Sequence, residues 1–279
     1  MASDPTPAAA AAILAEPRGL NPLGPVAWLG QLTLTTVSAL RSSLLRGNST
    51  SSFASDSATE LDRLLTMGLP LVGLVHVGMG SFLSMQAYFG ATFVDGIGPV
   101  TGVGLIRNLA PLLTGFIVAG LASARYVAEL GRPSLLPEER CRMVAARLAA
   151  AMMAGPVLAV WGSLVGIAIG WLVAHKMMGL TLPAFFDMFL EMLWARDIAG
   201  LVIKGVAFGF LAALLACQEG LARRGDPGSP ADLDAIASAA CRSACLAGLA
   251  ILLFNSGWFL LIYHAGPAFG PTVLTPPGQ

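Results

Sequence analysis

Charge is the first thing this chain has little of. Only 11% of its 279 residues are Asp, Glu, Lys or Arg, and the formal net charge is zero. Soluble domains carry about 25% charged residues, so a soluble globular class is excluded. A neutral chain also has no electrostatic footprint for nucleic acid. Histidines are few: His76, His175 and His264 lie in different segments. No H-E-x-x-H, G-x-S-x-G or G-x-x-x-x-G-K-[ST] pattern occurs. The expectation is a non-enzymatic chain with no cofactor of its own and no nucleotide-hydrolysing motif; any ATP and Mg would belong to a partner chain. The four cysteines, Cys141, Cys217, Cys241 and Cys245, form no C-x-x-C pair. They read as small buried hydrophobes rather than metal ligands or a disulfide. The N-terminus lacks the basic start of a signal peptide, and 1–25 reads as a disordered cytoplasmic tail.

What is abundant is apolar residue, at 56%, and glycine, at 32 residues. Small residues let transmembrane helices pack closely. A span needs about 20 mostly apolar residues, and five segments qualify: 67–91, 99–124, 149–174, 198–217 and 243–263. Residues 26–46 are too polar to span comfortably. Their apolar positions recur at helical spacing, which predicts an amphipathic helix in the membrane interface. The Ser/Thr-rich stretch after it, "GNSTSSFASDSAT", reads as a linker. The fold class is therefore an all-α polytopic membrane protein, one interfacial helix followed by five spans, in a single domain over 26–265. Residues 266–279 form a tail.

Lys and Arg fall in alternate loops. By the positive-inside rule, the N-terminus and loops 125–148 and 218–242 are cytoplasmic and the C-terminus is periplasmic. Within the outer loop 175–197, Phe185, Phe186 and Phe189 against Asp187 and Glu191 predict a second amphipathic helix.

Charge inside a span is costly and marks function by default. Arg107 and Asn108 lie in the second span. Lys204 lies in the fourth, with Asp197 seven residues earlier on much the same face. Gln86 sits in the first span and Asn255 in the fifth. Arg107, Asn108, Gln86 and Asn255 are candidate lipid-headgroup contacts; Lys204 and Asp197 are candidate intramembrane charges. The alternative is that these groups pair with one another, and for Asn255 an interhelical hydrogen bond is the expected role. Arg125 and Glu129, at i and i+4, read as a simple pair. Thr114, Gly115, Ala119, Gly120, Ala122, Ser123 and Ala124 form a close-packing face. The loop "RPSLLPEERCRM" predicts a short helix opening at Pro137 with acidic residues at its positive end. Glu138, Glu139, Arg140, Arg142 and Met143 are the candidates for coupling to a soluble partner.

Three stretches, in order, resemble one family. "IRNLAPLLTGFIVAGLASARYVAELG" resembles the long second-span signature of MlaE-type (YrbE-like) permeases of Mce-associated ABC lipid transporters, through Arg107, Pro111, Gly120, Glu129 and Gly131 among others. "MGLPLVGLVHVGMGSFLSMQAYFGA" resembles the family's first span. "DIAGLVIKGVAFGFLAALLACQEGLARRG" resembles its fourth, through Asp197, Lys204, Phe208, Gly209, Cys217 and Gly220. The resemblance implies the permease subunit of an ATP-driven transporter in a bacterial inner membrane. It implies a dimer of this chain, a MlaF-like ATPase on loop 131–147, a MlaD-like Mce-domain protein outside, a STAS-domain subunit in some members, and phospholipid or another hydrophobic cargo. A non-transporting scaffold or an independent secondary carrier is the alternative; the carrier is disfavoured by the lack of a visible inverted repeat. The chain departs from the signature at Asn108, where the family has Glu, and at Leu121, where it has Arg. Losing one acid and one base together suggests a replaced ionic contact between the two positions.

Overall fold

The computed structural model describes residues 30, 37, 50–90, 99–131, 136–222 and 230–264. Gly30 and Val37 are helical; the rest of the expected interfacial helix, both tails and residues 91–98, 132–135 and 223–229 lie outside the described residues. The elements are α1 (Thr50–Gly90), two π-helical turns (Pro99–Val103 and Leu105–Leu109), α2 (Ala110–Leu130), α3 (Pro137–Met178), α4 (Leu182–Met192), α5 (Ala195–Ala222) and α6 (Pro230–Phe259), which ends in a π-helical turn, Leu260–His264. There is no strand among the described residues. Five of these helices are long and apolar enough to cross a membrane, so the chain is a multi-pass all-α protein.

The spans are longer than their apolar segments. α1 begins at Thr50, inside the stretch read as a linker. Ser and Thr are weak helix formers, yet Ser57 and Glu60 are buried and Phe53 packs on the core, so tertiary contact overrides local propensity. α3 runs unbroken from Pro137, and the segment expected to be a separate short helix is its first turns. The Glu139 carboxylate caps it, accepting from the Leu136 N–H at 3.2 Å. α4 is the amphipathic helix expected within 175–197, with Phe185 and Phe189 buried and Asp187 and Glu191 exposed.

Glycine sets how closely the spans cross. A Cβ on Gly155 would stand 2.1 Å from the Gly205 carbonyl oxygen, and one on Gly209 would stand 2.1 Å from that of Ala151. Backbone therefore meets backbone where α3 crosses α5, a contact no larger residue permits. Gly80 of α1 meets the Gly166 carbonyl of α3 in the same way. Gly209→Ala is expected to cost about 1–3 kcal/mol, because backbone has to move. Thermal unfolding in detergent would read this as a lowered midpoint, and an unchanged midpoint would contradict the crossing.

The packing face of α2 is present: Thr114, Gly115, Ala119, Ala122 and Ser123 are buried, while Gly120 and Ala124 are exposed. Ser123 and Ser243 share a hydrogen bond at 2.9 Å between α2 and α6. His76 is buried, with Nδ1 2.8 Å from the Val72 carbonyl and its ring against Gly162; it is a packing element of the α1–α3 contact. Cys217 is buried as expected, but Cys241 and Cys245 are exposed. They sit on the outward face of α6, where Leu249 and Leu253 are also exposed.

Candidate functional site

The bundle carries polar clusters at its two ends. We call the end where α1 passes to α2 the upper end, and the end where α2 passes to α3 the lower.

At the upper end, the turn before α2 is π-helical, which widens the helix. Pro111 follows and has no N–H. In an α-helix that N–H would bond to the carbonyl four residues back, Arg107. Lys204 of α5 supplies the missing donor: its ammonium gives a hydrogen bond to the Arg107 carbonyl oxygen at 2.7 Å. Lys204 is fully buried. The Arg107 side chain turns to Asp197, on the same face of α5. Nε donates to Oδ1 and Nη2 to Oδ2, both at 2.9 Å. This is the two-pronged geometry that strengthens an arginine–carboxylate pair. Asp197 is fully buried and also accepts from the Trp194 backbone N–H at 3.1 Å. The Trp194 ring carries the Arg196 guanidinium 3.6 Å from its centroid and that of Arg107 at 5.6 Å. The Arg107 side chain keeps 28% of its surface exposed. It is more accessible than Asp197 and Lys204, which are fully buried.

Asn108, the next residue, accepts from the amide of Asn255 on α6 at 2.7 Å. Four of the six sequence candidates, Arg107, Asn108, Asp197 and Lys204, thus meet at one place, and Asn255 joins them. Gln86 is exposed on α1, and no described contact joins it to the cluster.

The expected link between positions 108 and 121 fails on geometry. Thirteen residues of helix span about 20 Å, and Leu121 is half-buried against the main core. The partner of Asn108 is Asn255, so nothing at 121 balances the acid missing at 108.

At the lower end, Arg125 and Glu129 are not a simple surface pair. Arg125 Nε donates to Glu129 Oε1 at 2.7 Å and its Nη2 lies 3.4 Å from Glu60 of α1. Arg147 of α3, almost fully buried, donates to the other Glu129 oxygen and stacks over the Tyr126 ring at 4.7 Å. One carboxylate on α2 thereby holds guanidinium groups from α2 and α3, and Glu60 brings in α1. Beside it, Arg242 of α6 donates to the buried Glu219 of α5 at 2.7 Å. Of the coupling candidates, Arg142 pairs with Asp56 of α1 at 3.0 Å and Met143 packs on the core. Glu139 serves as the α3 cap and is exposed. The Arg140 backbone N–H bonds to the Leu136 carbonyl at 3.0 Å. Nothing is described of the Glu138 side chain.

The sequence reading missed Glu60, Tyr126, Glu219 and Trp194. Glu60 sat next to a segment read as linker, and Glu219 near a span end where charges are usually solvated. The one available signal was Arg147, a charge just inside an apolar run.

Five apolar spans, a buried charged cluster at the upper end, and a charged lower network at the start of a long third helix define a transport-type membrane domain. The profile of a known family, Permease MlaE, matches residues 58–135 and 139–257, and the chain belongs to that family. Among curated relatives, a "Probable ABC transporter permease protein" of Rickettsia prowazekii (strain Madrid E) is 27% identical over 165 residues, covering 54% of this chain and 64% of that one. One of the same description from Synechocystis is 25% identical over 173 residues, covering 57% and 65%. The chloroplastic protein TRIGALACTOSYLDIACYLGLYCEROL 1 of Arabidopsis thaliana is 25% identical over 171 residues, covering 57% and 49%. The matched stretch thus spans under two thirds of each relative's length.

Proposed function

We propose that this chain is the membrane-spanning permease subunit of an ATP-driven transporter for phospholipid or a similar amphiphile. It works as a dimer with a separate ATPase and an Mce-domain partner outside the membrane. The family and the relatives' description as ABC transporter permeases support this reading. A relative named for a glycerolipid supports a lipid cargo.

The observation that carries the coupling half is the continuity of α3. Residues 138–143, of which Glu139 and Arg142 are exposed, and the span that ends at Met178 form one helix. A push on the first turns is delivered to Arg147, and through Glu129 to α2. α2 leads directly into the turn that holds Arg107 and Asn108. ATPase closure on the cytoplasmic side would then move the upper cluster without any soluble lever. In this reading Arg107 and Asn108 meet the headgroup, and the exposed apolar surfaces of the spans face acyl chains.

Affinity purification of the tagged full chain from its host in mild detergent, with mass spectrometry of co-eluting material, tests the reading. A Walker-motif ATPase and an Mce-domain protein at fixed stoichiometry are expected. A chain that elutes alone would overturn it in favour of a scaffold or carrier.

A further inference from the structure

The charged groups of the upper cluster come from α5 and the turn before α2; α6 adds a neutral pair, Asn255 and Trp258. The two lie about one helical turn apart. Asn255 faces the turn before α2, where its amide donates to Asn108 Oδ1 at 2.7 Å. Trp258 faces α5: a Cβ on Gly200 would stand 3.4 Å from its ring nitrogen, Nε1. Gly200 lies between Asp197 and Lys204 on the buried face of α5. The Phe254 ring stacks on Trp258 with centroids 6.3 Å apart and meets Phe208 edge-on at 5.8 Å, which holds the indole in place. Each member of the pair has an unused polar atom. Asn255 is 8% exposed, and its Oδ1 is buried with no hydrogen-bond partner among the described residues. Trp258 Nε1 is also buried, and its hydrogen meets no acceptor among the described residues. Buried polar atoms left unpaired are costly. The two deficits differ in kind, since Oδ1 needs a donor and Nε1–H needs an acceptor. Turning over both amides of the Asn108–Asn255 pair keeps their bond and leaves an unused donor in place of the unused acceptor.

We propose that Asn255 and Trp258 recognise hydroxyl groups of the cargo, which is a lipid with a polyol headgroup such as glycerol or a sugar. This rests on the permease reading above and deepens it. A hydroxyl both donates and accepts, so it serves either atom of the pair and either setting of the amides. A phosphate oxygen only accepts, and leaves Asn255 Oδ1 unserved. An ammonium only donates, and leaves the Trp258 N–H unserved; a quaternary ammonium serves neither. Phe254 and Gly257, beside the pair, are exposed, so the pair lies beneath a surface that a lipid can reach. The selection depends on hydrogen bonding, not on headgroup charge.

The test uses the full chain in nanodiscs of equal parts dioleoyl phosphatidylglycerol and dioleoyl phosphatidylethanol, extracted gently and weighed by native mass spectrometry. The two headgroups carry the same charge and differ in the free hydroxyls of glycerol. Phosphatidylglycerol is expected to be retained about fivefold or more over phosphatidylethanol, the ratio that one net hydrogen bond gives. Trp258→Phe keeps a stacked ring and removes the donor, and Asn255→Leu removes the amide. Each should cut the preference about twofold or more, and the double variant should bring it close to one. The control Trp161→Phe, on the exposed side of α3, should leave it unchanged. Equal retention by the unmodified chain would mean that water alone serves the two atoms, and overturns the proposal; so does an unchanged preference in both single variants. Millimolar glycerol should not alter the ratio; loss of the preference would mean that the site takes a free polyol, and would overturn the lipid assignment. Co-elution of the ATPase, scored separately, tests the permease reading and is independent of this ratio.

Discussion

Replacing Glu129 by Gln lowers the stability of the bundle by about 2–3 kcal/mol and uncouples its two ends. Breaking a buried ion pair costs about 3–5 kcal/mol, because the remaining charge is stranded. The partner left behind is Arg147, whose side chain is 4% exposed. Glu129 itself is 25% exposed, so water screens part of the loss and the lower value applies. Arg125 is less affected, since it keeps Glu60 at 3.4 Å. The Tyr126 ring still lies under Arg147 and holds it in place. Unfolding midpoints in nanodiscs read the stability term. The partner double variant, Glu129→Gln with Arg147→Met, should recover more than half of it, because no charge is then stranded. A double variant worse than the single one would mean that the network is not a pairwise contact.

Asp197→Ala has the second large expected effect. Asp197 is the one carboxylate that Arg107 grips with two hydrogen bonds, and it is fully buried. Its loss takes the two-pronged partner from Arg107 and, among the described residues, the carboxylate that shares a helix face with the buried Lys204, at a cost of about 3–5 kcal/mol. Adding Lys204→Met to that background removes one cation from the cluster. It also removes the donor to the Arg107 carbonyl, which Pro111 cannot serve. The recovery should therefore be partial, about 1–2 kcal/mol. Full recovery would show that Lys204 has no part in holding the π-helical turn, and no recovery would show that charge balance is not what Asp197 provides. Thermal unfolding of the three variants in one lipid composition decides between these.

The architecture was legible because a bilayer leaves few choices. Five apolar segments, alternating basic loops and an amphipathic outer stretch lead to five spans and α4. The upper cluster was legible in its members because charge in a span is costly enough to stand out: Arg107, Lys204 and Asp197 are the charges one looks for. Their pairing was not, since the contacts join residues 90 to 147 positions apart. The supposed 108–121 contact shows the same limit from the other side: two coupled departures in one motif suggested proximity, but helical rise separates them. The lower network was hidden for a different reason. Glu60, Glu129 and Glu219 sit near helix ends, where sequence alone cannot tell a solvated charge from a buried one. The helical start at Thr50 was hidden because Ser and Thr favour a linker locally, and only packing on α2 and α3 reverses that.

The most direct measurement is the ATP hydrolysis rate and ATP-driven transfer of fluorescent phospholipid by the purified full complex, comparing the unmodified chain with Glu129→Gln at a temperature where both are folded. If α3 passes the stroke to α2 through Arg147 and Glu129, hydrolysis continues at near its normal rate while transfer falls about tenfold or more, as for a lost contact worth at least 1.4 kcal/mol. Equal transfer by the two complexes, or a proportional fall in both rates, would contradict transmission through this contact.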